Sequence, residues 1–176
     1  NMKEGFAVPG FQRGSTEYRR VTLALFLGAL SMYASLYATQ PILPLISADF
    51  GISPAQASLS VSAATVSLAA SLVFAGPLAD SLGRKPVMTW SMIATGVIGL
   101  AAAMVPHYET FLVLRFLHGL VMAGLPATAM AYLAEEIDPA FLGGAMGLYI
   151  AGNSVGGLAG RIVSGTVADL WHWRAA

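Results

Sequence analysis

Long segments without a charged residue dominate the chain. Five of them follow one another, at 21–48, 50–79, 86–108, 116–134 and 139–160. A membrane-spanning α-helix needs about 20 mostly apolar residues to cross a hydrocarbon core about 30 Å thick. The segments lack the sustained two-residue alternation that barrel strands require. The pattern predicts an all-α, polytopic transmembrane bundle with spans near 21–40, 58–76, 87–105, 111–134 and 144–167.

Composition agrees with lipid, rather than water, as the solvent. Of the 176 residues, 56% are hydrophobic and 10% are charged, whereas soluble domains carry about 25% charged residues. Nine Lys and Arg residues balance nine Asp and Glu residues, so no broad basic surface exists to attract nucleic acid. The sequence has no cysteine, which excludes a disulfide framework and a thiolate zinc site. We expect the lipid bilayer, and no nucleic acid, as a partner.

The distribution of basic residues predicts the orientation. Residues 1–20 form a polar tail with four Lys or Arg, and the 76–86 connection contains two more. The 41–57 and 106–110 connections contain none. Cytoplasmic loops carry the excess of Lys and Arg, so the N-terminal tail is predicted to be cytoplasmic. The first hydrophobic run is too long for a signal-peptide core and is expected to remain as the first span of one bundle over 21–170.

The 76–86 connection concentrates turn formers and charges. Gly76 and Gly83 permit backbone angles that other residues avoid, and Asp80 can pair with Arg84 four residues later. Two interpretations stay open. The connection is a solvated turn whose basic residues only set topology, since exposed ion pairs contribute little, or it is a conformational latch between two helical bodies formed by Gly76, Asp80, Gly83, Arg84 and Lys85.

Four polar residues inside the spans are candidates for proton coupling or for lining a cavity. Arg115 and His118 lie in the fourth span, and Asn153 and Arg161 lie in the fifth. A membrane charge is costly unless it faces protein or water. For both arginines, snorkelling to the outer interface is the alternative. His118 can titrate near neutral pH, or it is a packing residue, and the carboxamide of Asn153 needs hydrogen-bond partners.

Small and aromatic residues mark helix faces. In the fifth span, each glycine costs about 1 kcal/mol relative to alanine, which indicates close helix approach or bending at Gly143, Gly152, Gly156, Gly157 and Gly160. In the first span, Tyr33, Tyr37 and Gln40 share a face and form either a substrate path or an outer aromatic belt. In the second span, four-residue spacing predicts generic helix packing at Ala63, Ser67, Ser71 and Ala75.

Three motifs together resemble the major facilitator superfamily. The 76–85 segment is similar to its signature G-x-L-a-D-r-x-G-R-[RK], with Ser81 where a basic residue is frequent. The 115–119 segment resembles the R-x-x-Q-G element of proton-coupled exporters, with His118 in place of Gln. The 143–161 segment resembles the antiporter motif G-x8-G-x3-G-P-x2-G-G, with Gly157 in place of Pro and Arg161 in place of the last Gly.

The resemblance implies the first five spans of a twelve-span exporter in a bacterial inner membrane. Such a protein moves a small organic solute by alternating access, driven by proton entry, and Asp80 and Arg84 help to hold its halves together on the cytoplasmic side. Residues 171–176 would approach a sixth span, and the C-terminal half would be the missing partner, so the chain alone is not expected to transport. The alternatives are an uptake symporter, a facilitator, or a membrane assembly subunit that moves nothing.

Enzyme function has no support in the sequence. There is no nucleophile elbow and no phosphate-binding loop, and the three histidines, His107, His118 and His172, are too scattered for a metal site. The sequence therefore predicts no catalytic residue, no cofactor and no metal.

Overall fold

The computed structural model describes residues 10–176. Within this range the chain is helical, and the residues outside the helices form only one isolated β-bridge, between Phe11 and Ile137. The helices are α1 (Thr16–Tyr37), α2 (Leu43–Phe50), α3 (Pro54–Leu82), α4 (Arg84–Met104), α5 (Tyr108–Met122), α6 (Gly124–Glu136) and α7 (Pro139–Leu170).

Four helical segments are long and apolar enough to cross a membrane, namely α1, α3, α4 and the combined α5–α6 segment. They correspond to the first four predicted spans. The fifth predicted span corresponds to α7, which has 32 residues and is not one of these four segments. The all-α membrane bundle is confirmed. The exact boundaries of the spans within the bilayer stay predictions.

Side-chain caps fix where several helices begin. Ser15 accepts a hydrogen bond from the Tyr18 amide at the start of α1. Ser53 and Gln56 form a reciprocal capping box at the start of α3. The Asp138 carboxylate accepts from the Ala140 amide at the start of α7. Each cap satisfies amide groups that have no partner within the first turn of a helix. Residues close in sequence therefore determine where these helices begin.

The 76–86 connection differs from the prediction. Helix α3 continues through Pro77 to Leu82, and only Gly83 separates it from α4. Gly83 adopts a φ of 92°, as expected for a turn glycine, but Gly76 is helical, so its predicted special backbone conformation was wrong. A helix of 29 residues is about 44 Å long and exceeds the hydrocarbon thickness. The turn-forming residues therefore lie on a helical extension beyond the apolar part.

Two further features were not predicted. The connection after the first span contains the short helix α2, which Gly51 ends in the left-handed region at φ 63°. The fourth span is divided between α5 and α6 at Ala123. Pro126 explains this division, because a proline ring clashes with the carbonyl four residues earlier, here that of Met122, the last residue of α5.

Large apolar side chains on α3 and α4 face outward. Five of them are more than two-thirds exposed, namely Val73, Phe74, Trp90, Leu100 and Met104. A soluble monomer rarely exposes so large a contiguous apolar surface. The interior is instead lined by small residues, such as the fully buried Ala29, Ala64 and Ala129, which allow helix backbones to approach closely. This distribution suits a bundle surrounded by lipid.

Candidate functional site

Arg115 lies inside the bundle, not at its surface. Its side chain belongs to α5 and the residue is 4% exposed. The Nε and Nη2 atoms donate hydrogen bonds, each at 3.3 Å, to the carbonyl oxygens of Ser60 on α3 and Leu36 on α1. One guanidinium therefore joins three helices, and its position is not that of a snorkelling side chain. Backbone carbonyls take the place of an acidic partner.

His118 lies one turn after Arg115 and is 2% exposed. Its Nδ1 atom is 2.9 Å from Nη1 of Arg115, and its Nε2 atom is 3.2 Å from the hydroxyl of Ser35. A guanidinium has only donors, so Nδ1 must accept the hydrogen bond from Arg115. The hydrogen-bond network thus assigns a neutral imidazole with its proton on Nε2, which donates to Ser35.

Close packing of α5 against α3 places this network. A Cβ atom on Gly119 would collide with the carbonyl oxygen of Ala64 and with the hydroxyl of Ser67. Glycine is therefore needed for the approach that brings Arg115 within reach of α3. The buried face of α3 includes Ser60, Ala64 and Ser67. Of the predicted stripe of small residues, Ser67 and Ala75 are buried, whereas Ala63 and Ser71 are only partly buried.

The same side chains line a cavity. Its volume is about 650 Å³, and α1, α4, α5 and α7 enclose it. Arg115 and His118 contribute to its wall together with the hydroxyl-bearing residues Ser35, Thr95 and Ser164. Among residues 10–176, no group of three or more metal-ligating side chains occurs. The cavity combines an apolar wall with two cationic side chains, Arg115 and Arg174, and several neutral polar groups.

The glycines of α7 form a seam with α1. Gly152, Gly156 and Gly160 are buried and spaced by four residues. Added Cβ atoms at these positions would collide in turn with the carbonyl oxygens of Phe26, Leu30 and Ala34. The predicted close approach therefore has a defined partner helix. Gly143, in contrast, has no atom within 4 Å of an added Cβ and takes no part in the seam.

Arg161 lies beside the seam, in a polar cluster with two residues of the first span's end. Its Nε donates to the Gln40 carboxamide oxygen at 2.8 Å, and its Nη1 donates to the carbonyl of Gly157 at 2.8 Å. The guanidinium carbon is 4.0 Å from the centre of the Tyr37 ring, a cation–π distance. The ring of Tyr33 is 6.3 Å from that of Tyr37. We call these residues, with Gly157, the Arg161 cluster.

Two buried polar groups on α7 have no hydrogen-bond partner in the described chain. They are the hydroxyl of Tyr149 and the carboxamide oxygen of Asn153. By four-residue spacing, Tyr149 and Asn153 share a helix face with Gly157 and Arg161. Buried polar atoms nearly always have a hydrogen-bond partner. The Tyr149 hydroxyl and the Asn153 oxygen therefore need an explanation.

At the opposite end of the bundle, Arg84 joins three helices. Its Nη2 is 3.4 Å from a carboxylate oxygen of Asp80 on α3 and 2.8 Å from one of Glu135 on α6. The carboxylates are 67% and 55% exposed. The sequence did not indicate Glu135 as a partner of Arg84. Lys85 makes no ion pair with any acid among the residues that the structure describes.

A third arginine cluster was missed from sequence. Arg174 donates to the carbonyl of Val105 at 2.7 Å, beyond the end of α4, and to the Asp49 carboxylate at 2.9 Å. Its guanidinium also lies over the rings of Phe50 and Trp173. Trp173 is 6% exposed, so it packs inside the protein and not in an interfacial belt. No periodicity reveals this contact, because it joins segments far apart in the chain.

Comparison with known proteins agrees with these features. The profile of the Major Facilitator Superfamily matches residues 25–176. The chain belongs to this superfamily. It is therefore related to multi-pass membrane transporters, and the 76–85 signature, the Arg115 network and the glycine seam lie within the matched region.

Individual relatives give the same result. This superfamily member is 46% identical over 165 residues to the inner membrane transport protein YnfM of Escherichia coli, covering 94% of the chain and 40% of YnfM. It is 45% identical over 165 residues to the uncharacterized MFS-type transporter YybF of Bacillus subtilis, covering 94% and 41%. It is 31% identical over 145 residues to the multi-drug resistance efflux pump PmrA of Streptococcus pneumoniae, covering 80% and 36%. The chain spans about two fifths of the length of these curated relatives.

Proposed function

We propose that the chain forms the N-terminal bundle of a secondary transporter in a bacterial inner membrane, with its N-terminal tail in the cytoplasm. The complete protein exports a small organic solute by alternating access, and proton entry drives the export. A C-terminal half, as in the longer relatives, supplies the other wall of the transport path. Family membership supports transport, and the relative named as an efflux pump supports the direction.

The hydrogen bond between Arg115 and His118 carries the proton-coupling part of the proposal. In the described arrangement Nδ1 of His118 accepts from Arg115 at 2.9 Å. A proton on Nδ1 would place two donors and two positive charges face to face. Proton binding therefore breaks this contact. The guanidinium of Arg115 then loses its hydrogen-bond partner on α5.

The surroundings of His118 disfavour a bound proton in the described arrangement. The charged group that faces it is Arg115 on its own helix; Ser35 on α1 is neutral, and Gly99 on α4 presents no side chain to Nε2. Among residues 10–176 no carboxylate lies within ion-pair distance of either Arg115 or His118. A bound proton has no acid to stabilise it, so its effect is to shift the helices that Arg115 joins.

The ion pairs of Arg84 with Asp80 and Glu135 support the alternating-access part of the proposal. One end of the bundle contains Asp80, Gly83, Arg84 and Lys85, and Gly76 lies earlier in the same part of α3. The Asp80 carboxylate keeps 67% of its surface free while Arg84 engages Glu135. We propose that this free carboxylate contacts the second half in the outward-open state, as the family signature implies.

Solute efflux at opposite pH gradients tests the proposal. The complete transporter that contains these residues is reconstituted in proteoliposomes loaded with radiolabelled N-acetyltyrosine, gluconate or ethidium. An antiporter releases its solute faster when the outside is acidic and more slowly when the gradient is reversed. A symporter shows the opposite dependence, and a facilitator shows none. If none of the three solutes moves under either gradient, a non-transporting assembly subunit replaces the proposed function.

A further inference from the structure

Resting on the proposed function, we infer that the solute is an organic anion and that Arg161 binds its carboxylate. The apolar part of this bundle contains two arginines and no acid. In the described chain the acidic residues all lie in short helix α2, at helix ends or in caps, namely Glu17, Asp49, Asp80, Glu109, Glu135, Glu136, Asp138 and Asp169.

Arg161 is the arginine that remains available. Arg115 is buried, and each of its three nitrogens has a partner. Arg161 is exposed. Of its five N–H groups, it uses one on Nε for Gln40 and one on Nη1 for the carbonyl of Gly157. Its remaining donors include both N–H groups of Nη2, so Nη1 and Nη2 can together hold a carboxylate end-on through two parallel hydrogen bonds.

Contacts within the protein hold the side chain of Arg161. The guanidinium bonds to Gly157, one turn nearer the middle of α7, and lies against Tyr37. A snorkelling arginine extends toward the nearer helix end instead, here Leu170. Gly157 makes this position possible, because an added Cβ would lie 3.1 Å from the Tyr37 ring and 3.5 Å from Nη1 of Arg161.

The rest of the polar face suits the body of such an anion. Asn153 lies eight residues before Arg161, which corresponds to about 12 Å along the helix. The buried carboxamide oxygen of Asn153 and the buried hydroxyl of Tyr149 add polar groups to this face of α7. The rings of Tyr33 and Tyr37 lie 6.3 Å apart, and the Tyr37 ring contacts the guanidinium of Arg161. The geometry fits a carboxylate at one end of the solute, with an aromatic or polar portion extending toward Asn153.

Matched acid and amide pairs test this inference. The complete transporter, in vesicles of pure phosphatidylcholine, is given N-acetyltyrosine or N-acetyltyrosinamide, and gluconate or gluconamide. Efflux and the ligand-induced rise in apparent Tm are both measured. We expect at least one acid to be preferred over its amide by about tenfold or more, as loss of a charge-assisted pair predicts. The variant Arg161→Gln should reduce that preference to near one, and Arg161→Lys should retain part of it.

Controls separate the possible failures. Arg13→Gln removes an exposed charge of the tail and should leave the preference unchanged, and the Tm without ligand shows whether each variant folds. If solutes move with the gradient but amides are moved as well as acids, the proposed function stands and the anion site is wrong. If phosphatidylglycerol vesicles alone give the Arg161-dependent rise in Tm, Arg161 is a lipid headgroup site, which also overturns the inference. If neither acid shifts the Tm, the inference is also overturned.

Discussion

Gly156 of α7 lies directly against the carbonyl oxygen of Leu30 on α1. An added Cβ atom at Gly156 would collide with that oxygen and with two other backbone atoms of Leu30. Backbone atoms cannot rotate away as a flexible side chain can, so the two helices would have to separate. The seam between α1 and α7 therefore depends on the absence of a side chain.

The first prediction concerns this seam. Gly156→Ala should lower the free energy of unfolding by about 1–3 kcal/mol through overpacking. Gly143→Ala, on the same helix but facing open space, should be neutral or stabilising by up to about 1 kcal/mol, because alanine is the better helix former. Scanning fluorimetry of tryptophan emission in detergent measures both. Equal effects of the two substitutions would show that helix propensity, not close packing, determines the change in stability.

The second prediction separates packing from titration at His118. Glutamine can accept from Arg115 and donate to Ser35, as the imidazole does, but it cannot bind a proton near neutral pH. His118→Gln should therefore preserve the apparent Tm and flatten the pH dependence of efflux. His118→Phe should lower the Tm, because it leaves Arg115 with a buried, unpaired donor. An unchanged pH profile in His118→Gln would remove His118 from proton coupling.

The third prediction concerns the exposed carboxylate beside Arg84. Asp80→Asn should change the apparent Tm little, since exposed ion pairs contribute at most about 1 kcal/mol, but it should slow transport if Asp80 holds the second half. Glu17→Gln, an exposed acid at the start of α1, is the matched control and should affect neither. If Asp80→Asn transports at the wild-type rate, the latch interpretation is wrong and the 76–86 connection only sets the topology.

The fourth prediction concerns Arg174. Arg174→Gln loses the ion pair with Asp49 and weakens the bonds to the carbonyls of Ala103 and Val105 at the end of α4. It should destabilise the protein by about 1–3 kcal/mol, because buried acceptors lose charged donors. Limited proteolysis should then cut the 41–57 connection earlier than in the parent protein. Arg13→Gln provides the control, and equal cleavage rates would contradict a structural role for Arg174.

Much of the fold follows from the sequence because lipid imposes strong rules. Uncharged segments of sufficient length must become helices, since every backbone polar group needs a partner within the segment. The end of the second span was predicted less well. Turn-forming residues at 76–82 indicated a loop, but α3 continues through them, although glycine costs a helix about 1 kcal/mol and proline about 3 kcal/mol relative to alanine.

The candidate site was predicted only in part. Sequence indicated Arg115, His118 and Arg161 because polar groups in a membrane are costly. It did not reveal Gln40 as the partner of Arg161, because the two residues are far apart in the chain and only the α1–α7 seam brings them together. Glu135 was missed as a partner of Arg84 for the same reason.

The seam between α1 and α7 also sets an order for biogenesis. The surface of α1 around Leu30 is complementary to glycines that follow it by more than 100 residues. At ordinary rates of translation this interval lasts on the order of ten seconds. During that time the nascent first helix has lipid or the insertion machinery, not its final neighbour, against that surface. Assembly of this seam must therefore wait until α7 has been synthesised.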